Sequence, residues 1–204
     1  MRSGNSERLP QNIRTLIGAE SGQAEYVLGM YALIFVMVMA LATLQIMQYK
    51  ADSDIAEDAL AASALASLDI DPYRYGMDHK LVINDPGHAF EIFRDSLKEN
   101  MNLGNDMRPV PAGHSYISGE VLIEDFRIYL VDGDEVTEYV YSNMGMVRNT
   151  GLYGEMKTPG GQTVRSAGCY AAVSFDTKGF MGIKVRGYKD AYAEMLTDQS
   201  RVRI

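Results

Sequence analysis

The chain has 204 residues, with 27 Asp and Glu against 19 Lys and Arg, a net charge of −8, three His and one Cys. That acidic balance argues against nucleic acid as a partner and against docking on anionic lipid. The single cysteine, Cys169, excludes an intramolecular disulfide, so the fold must hold itself by its own core.

Residues 1–22 read as a polar leader. Arg2, Arg8 and Arg14 stand against Glu7 and Glu20, and Gly4 and Pro10 punctuate a stretch without strong periodicity. Gly18-Ala19-Glu20-Ser21-Gly22 reads as a flexible collar. The next segment, residues 23–50, is the most informative in the chain. From Tyr26 to Tyr49 it runs 24 residues without a charge. A helix of that length reaches about 36 Å, enough to cross a hydrocarbon core of about 30 Å. Its apolar core is too long for a secretory signal, and no small-residue cleavage site follows it, so a retained anchor is expected. Basic residues before the span and the acidic run Asp52, Asp54, Glu57, Asp58 after it place the leader in the cytoplasm and the body outside. Residues 51–204 hold 15 Lys and Arg against 24 Asp and Glu, a net of −9.

The helix is expected to continue past the span. Residues 51–68 are rich in Ala and Leu and lack Gly and Pro; Ile55, Ala59, Ala62 and Ala66 recur at helical spacing, with Leu65 beside them. One helix from Ala24 to Leu68 follows, apolar in lipid and amphipathic outside. Asp69-Ile70-Asp71-Pro72 breaks it.

Beyond the break, 79–84 suggests a short strand. Asp85-Pro86 opens a helix, with Asp85 as N-cap and Pro86 in the first turn. Phe90, Phe93, Leu97 and Met101 form its apolar stripe, Gly104 ends it, and a loop covers 104–115. The period then switches to two. Strands are expected at Val121–Ile123, Phe126–Val131 and Val136–Tyr141, with Asp132-Gly133 as a two-residue hairpin turn. A glycine-rich connection passes through Gly145, Gly151, Gly154 and Pro159-Gly160-Gly161. Strands follow at Gln162–Val164 and Cys169–Phe175; Asp176–Gly179 turns, Phe180–Arg186 returns, and Tyr188–Leu196 closes as a short helix. The fold class is α+β: a long N-terminal helix packed on a mostly antiparallel sheet, with residues 51–204 as one exported domain.

Residues for catalysis or cofactor binding do not converge. His79, His88 and His114 are scattered, without a His-Glu-x-x-His spacing or a second cysteine for a metal. Asp132-Gly133-Asp134-Glu135 lacks the full ligand spacing of a calcium loop. Pro159-Gly160-Gly161 lacks the lysine and helix of a phosphate loop. Cys169 alternates with Ala171, Val173 and Phe175 and reads as a buried small hydrophobe. No enzyme, metal or cofactor is expected. Glu25 differs from these, as an acid at the lip of an apolar span. Such a residue either sits unpaired among headgroups or meets a cation.

A short polar leader, Ser21-Gly22-Gln23-Ala24-Glu25-Tyr26, a long apolar helix and an Ala-rich amphipathic extension together resemble type IV pilin-like proteins. The resemblance is closest to pseudopilins and small pilins of tight-adherence (Tad) systems, the TadE-like kind, with their Glu-Tyr or Glu-Phe pair. It covers about residues 18–68. It implies a pilin-like fold and a minor pilin or pseudopilin subunit of a pilus or secretion system. It also implies cleavage within Gly18, Ala19, Glu20, Ser21, Gly22 by a prepilin peptidase, an assembly platform, and helix packing among subunits. Glu25 would then pair with the N-terminal amine of a neighbour, beside Tyr26. The pattern departs in one respect. The family places a glycine before the cut and the acid five residues after it; here the residue in the glycine's place is Glu20. The alternative expectation is a single-pass anchored extracellular binding domain that does not polymerise.

Overall fold

The computed structural model describes residues 11–78, 83, 85–110, 115–142, 145–178 and 184–195. The chain divides into two compact units, Met1–Met47 and Gln48–Ile204. The first helix, α1, spans Gln11–Ala66. It begins earlier than expected, because the backbone through Gly18–Gly22 is helical rather than a collar. Glycine in a helix costs only about 1 kcal/mol, which a long run of Ala, Leu, Met and Gln absorbs.

In the second unit, α1 ends where the sequence dictates. Ser67 N–H donates to Ser63 O at 3.2 Å and Leu68 N–H to Leu65 O at 3.1 Å, and then Asp69–Pro72 stops the helix. The buried face differs from the expected one. Ala56, Ala59, Leu60, Ser63, Ala64 and Ser67 are buried, whereas Ile55, Ala62, Leu65 and Ala66 are exposed. Both sets have helical spacing. Small side chains won the core face because the opposing sheet surface is built from Cys169, Ala171 and Val173 in the same cluster. The hydroxyls of Ser63 and Ser67 donate to Ala59 O and Ala64 O, each at 2.7 Å, so they enter the core satisfied.

A short helix not expected from the sequence, α2 (Pro72–Asp78), follows, with Tyr73 N–H donating to Asp71 Oδ1 at 2.9 Å. Of the expected 79–84 strand, Ile83 alone lies within the described residues, and it forms an isolated antiparallel bridge with Ile70. Helix α3 (Pro86–Met101) starts as expected: the Asp85 carboxylate accepts from Gly87 N–H at 2.8 Å and His88 N–H at 3.3 Å. Phe93, Leu97 and Met101 are buried and Ala89 joins them, with Phe90 half-buried at the margin. Its end is not Gly104. Asn102 adopts the left-handed conformation at φ 53° and caps the helix.

Five strands form one antiparallel sheet: β1 (Leu122–Asp132), β2 (Glu135–Ser142), β3 (Gly145–Leu152), β4 (Gly168–Lys178) and β5 (Lys184–Glu194), in the order β3-β2-β1-β4-β5. In β1 a bulge between Ile123 and Asp125 shifts the register against β4. Hence Ile123 and Phe126, three apart, face the helices, and Asp125 joins Arg127 on the outer face. Asp132 pairs with Glu135, so the hairpin turn is Gly133-Asp134 rather than Asp132-Gly133. Only Gly133, at φ +66°, is left-handed there, the pattern of a II′ turn.

Four further expectations are corrected. The glycine-rich connection contains the strand β3; its two glycines hide a β pattern that pairing with β2 imposes, Val140 opposite Val147 and Tyr141 opposite Met146. Gln162–Val164 is not a strand. Thr158 N–H donates to Gln162 O and Gly161 N–H to Thr158 O, each at 2.8 Å, making Pro159-Gly160-Gly161 a tight loop beside a single Lys157–Thr163 bridge. Tyr188–Glu194 is strand rather than helix: Ala191 and Ala193 pair with Ala171 and Cys169, while Tyr188, Asp190 and Tyr192 alternate onto the other face. The expected turn at Asp176–Lys178 continues β4 instead; Gly179 and residues 180–183 lie outside the described residues, as does Leu196.

The main core lies between the helices and one face of the sheet. A smaller one, on the other face, gathers Tyr129, Val136, Val164, Tyr170 and Ala172 under residues 153–167.

Candidate functional site

Between Gln23 and Met47, α1 buries no side chain, and all but Ala42 are exposed. Tyr26, Leu28, Leu33, Phe35, Val36 and Ile46 are each more than 60% exposed. Burying an apolar side chain of this size is worth about 1.5–3 kcal/mol. Left in water, this surface would forgo on the order of tens of kcal/mol, more than the 5–15 kcal/mol of a typical domain. The helix therefore requires apolar surroundings. Among the described residues it is the one helix long and apolar enough to cross a membrane. The hydroxyl of Thr43 fits that setting. Thr43 Oγ1 donates to Met39 O at 2.9 Å, keeping the hydroxyl satisfied within the helix.

Glu25 and Tyr26 are exposed at the N-terminal end of this surface, and Glu25 makes no ion pair among the described residues. At about 100° per residue, Glu25, Gly29, Ala32, Val36 and Thr43 fall on one face. A Cβ at Gly29 would meet nothing within 4 Å. The acid thus heads a narrow, shallow stripe where another helix can approach closely. Gly18, Ala19, Glu20, Ser21 and Gly22 lie one to two turns earlier in the same helix.

The sheet carries a second polar constellation, which the strand pattern did not reveal. Glu138, only 8% exposed, accepts from Arg127 Nη1 at 3.0 Å, Tyr129 Oη at 3.0 Å and Asn149 Nδ2 at 2.9 Å. Arg127 also meets Asp125 at 2.8 Å. Burial alone would raise the Glu138 carboxyl; the bonds from Asn149, Arg127 and Tyr129 outweigh it and hold it below the usual range. Burial and the neighbouring Glu138 charge push the Tyr129 hydroxyl strongly up, so it stays a donor. Both Glu138 oxygens are occupied by protein donors, so the cluster ties β1, β2 and β3 together. Sequence signals for it existed only in register: Arg127 and Tyr129 share a face, and the Glu138 partner on β3 was hidden in the glycine-rich stretch.

Other singled-out residues stay apart. His88 contacts Glu91 at 3.4 Å on the surface, and His79 and His114 lie outside the described residues. Cys169 is fully buried, and burial pushes its thiol up to about 12.

The chain matches no protein-family model, no curated protein and no solved structure.

Proposed function

We propose that the chain is a minor pilin or pseudopilin subunit of a type IV or Tad-like pilus or secretion system, anchored through residues 23–50 and assembling through that helix. The observation that carries this reading is an apolar helical surface with no buried side chain between Gln23 and Met47, headed by Glu25, which makes no ion pair among the described residues. A single-pass anchor alone needs neither an acid at its lip nor a small-residue stripe below it. In a bundle of such helices a carboxylate is costly unless it meets a cation. The cation is the N-terminal amine of a neighbouring subunit, freed when a prepilin peptidase removes the leader within Gly18–Gly22. The body, Gln48–Ile204, then stands outside the cell, and the motor, platform and peptidase come from other proteins.

Mass spectrometry of the protein taken from its native membrane tests this. A mature N-terminus between Ala19 and Gln23 is expected. Glu25→Ala should insert normally yet lose assembly. An intact N-terminus would turn the reading to a fixed single-pass anchor bearing a binding domain. Normal incorporation of Glu25→Ala into filaments would sink the pairing.

A further inference from the structure

The helix layer does not cover the whole sheet. α1 lies against β4 and β5: Glu57 meets Lys189 at 2.7 Å, and Ala59, Leu60 and Ala64 share a core with Cys169, Ala171 and Val173. α3 lies against β1 and β2: Phe90 stacks on Tyr141 with centroids 3.8 Å apart, and Phe93 meets Phe126 at 4.8 Å. Helices are about 10 Å wide and strands about 4.8 Å apart, so two helices cover about four strands. The fifth, β3, is left bare. Met146 pairs with Tyr141 and Arg148 with Tyr139, so both share the helix-side face. Met146 is 45% and Leu152 60% exposed, and Arg148 has no partner among the described residues.

The folded half of α1 carries the converse surface. Opposite its buried face run Asp54, Ile55, Asp58, Ala62 and Leu65. Ile55 is 50% and Leu65 53% exposed, and neither aspartate has a partner among the described residues. An apolar ridge with two free acids thus matches an apolar strand face with one free cation. The other sheet edge does not offer this match: on β5, Lys189 is already bound to Glu57, and Lys184 and Arg186 lie on the face away from the helices.

We propose that the outer ridge of α1 in one copy packs on the bare helix-side face of β3 in a second copy of this chain. Charge complementarity between Asp54, Asp58 and Arg148 selects the occupant. The membrane span, which holds copies side by side on the reading above, supplies the local concentration. Because the two patches differ, the contact is heterologous and repeats from copy to copy rather than closing a pair. It deepens the subunit reading by naming a contact outside the membrane.

Disulfide trapping in native membranes tests it. The full chain carrying Ala62→Cys with Thr150→Cys, both exposed and flanking the charged residues, is oxidised with copper phenanthroline. The expected result is a ladder of dimers, trimers and higher species, absent from either single variant; the native Cys169 is buried and contributes none. Arg148→Asp on that background lowers the ladder several-fold, and adding Asp54→Arg with Asp58→Arg restores it. Unchanged trypsin resistance of the body confirms that the variants fold. No ladder, a dimer from a single variant, or a ladder indifferent to Arg148→Asp overturns the contact. A missing ladder in a chain whose leader is cleaved sinks this contact alone. A ladder that survives Glu25→Ala while filaments assemble normally sinks only the Glu25 pairing.

Discussion

Asn149 and Glu138 stand directly opposite each other in the β2–β3 register, joined by an amide-to-carboxylate bond of 2.9 Å. This bond ties the outermost strand to a nearly buried charge. Asn149→Ala should destabilise the body by about 1–3 kcal/mol, the cost of leaving a buried charged group short of one donor. Hydrogen exchange should quicken first at the β3 amides. Unchanged β3 protection would show that backbone pairing alone holds the strand.

The same carboxylate sets an acid limit. Its folded-state pKa lies below the unfolded value, so its contribution is fully present above the ordinary carboxylate range and is lost as pH falls through the lowered folded value. The full chain in detergent should therefore lose stability on acidification below about pH 4.5. Glu138→Gln should be less stable than wild type at pH 7, and the gap should narrow as pH drops. Parallel curves for the two proteins across that window would rule the linkage out.

Cys169 should be inert while the body is folded. Full burial and a thiol pKa of about 12 leave little thiolate at pH 8. A maleimide or disulfide reagent should label it only above the denaturant midpoint, so labelling reports unfolding directly. Rapid labelling of the native chain would place the thiol elsewhere.

Ser63 sits at 0% exposure where α1 meets α3, accepting from Asn100 Nδ2 at 2.9 Å. Ser63→Leu should cost about 1–3 kcal/mol through overpacking. Leu65→Ser, on the exposed side of the same helix, should change stability by less than about 0.5 kcal/mol. The denaturant midpoints of both variants separate the faces.

Anchoring should fail when the span is charged. Val36→Arg with Met39→Arg adds about 2.5–3.5 kcal/mol per arginine near the helix centre. The doubly substituted protein should leave the membrane pellet in alkaline carbonate extraction, where the wild type stays. Retention of the variant would show that the helix is not held in lipid.

Much of this fold is legible in the sequence where a local signal agrees with the global packing. The Asp85-Pro86 start of α3, the 3-4-4 stripe behind it and the break at Asp69–Pro72 need only their neighbours in the chain. The failures occur where a distant partner decides. The α1 sequence permits two apolar faces, and the small residues of β4 select the alanine-serine one. Gly145 and Gly151 disguise β3, which is a strand because β2 lies beside it. Tyr188–Glu194 fits either a short helix or a strand until Ala191 and Ala193 find Ala171 and Cys169. Glu25 was visible as an acid beside an apolar run; the Glu138 cluster was not, because its members meet only across strands.

The strand order has a kinetic consequence. β1, β2 and β3 are successive hairpin neighbours, as are β4 and β5, so each group zips from a short loop. The two groups join along one seam, β1 against β4, from Leu122–Ser174 to Tyr129–Gly168. Closing that seam is the non-local event, and it sets the speed at which the sheet forms. Until it closes, both β1 and β4 are open edges, and the chain is most exposed to wrong pairing during that interval.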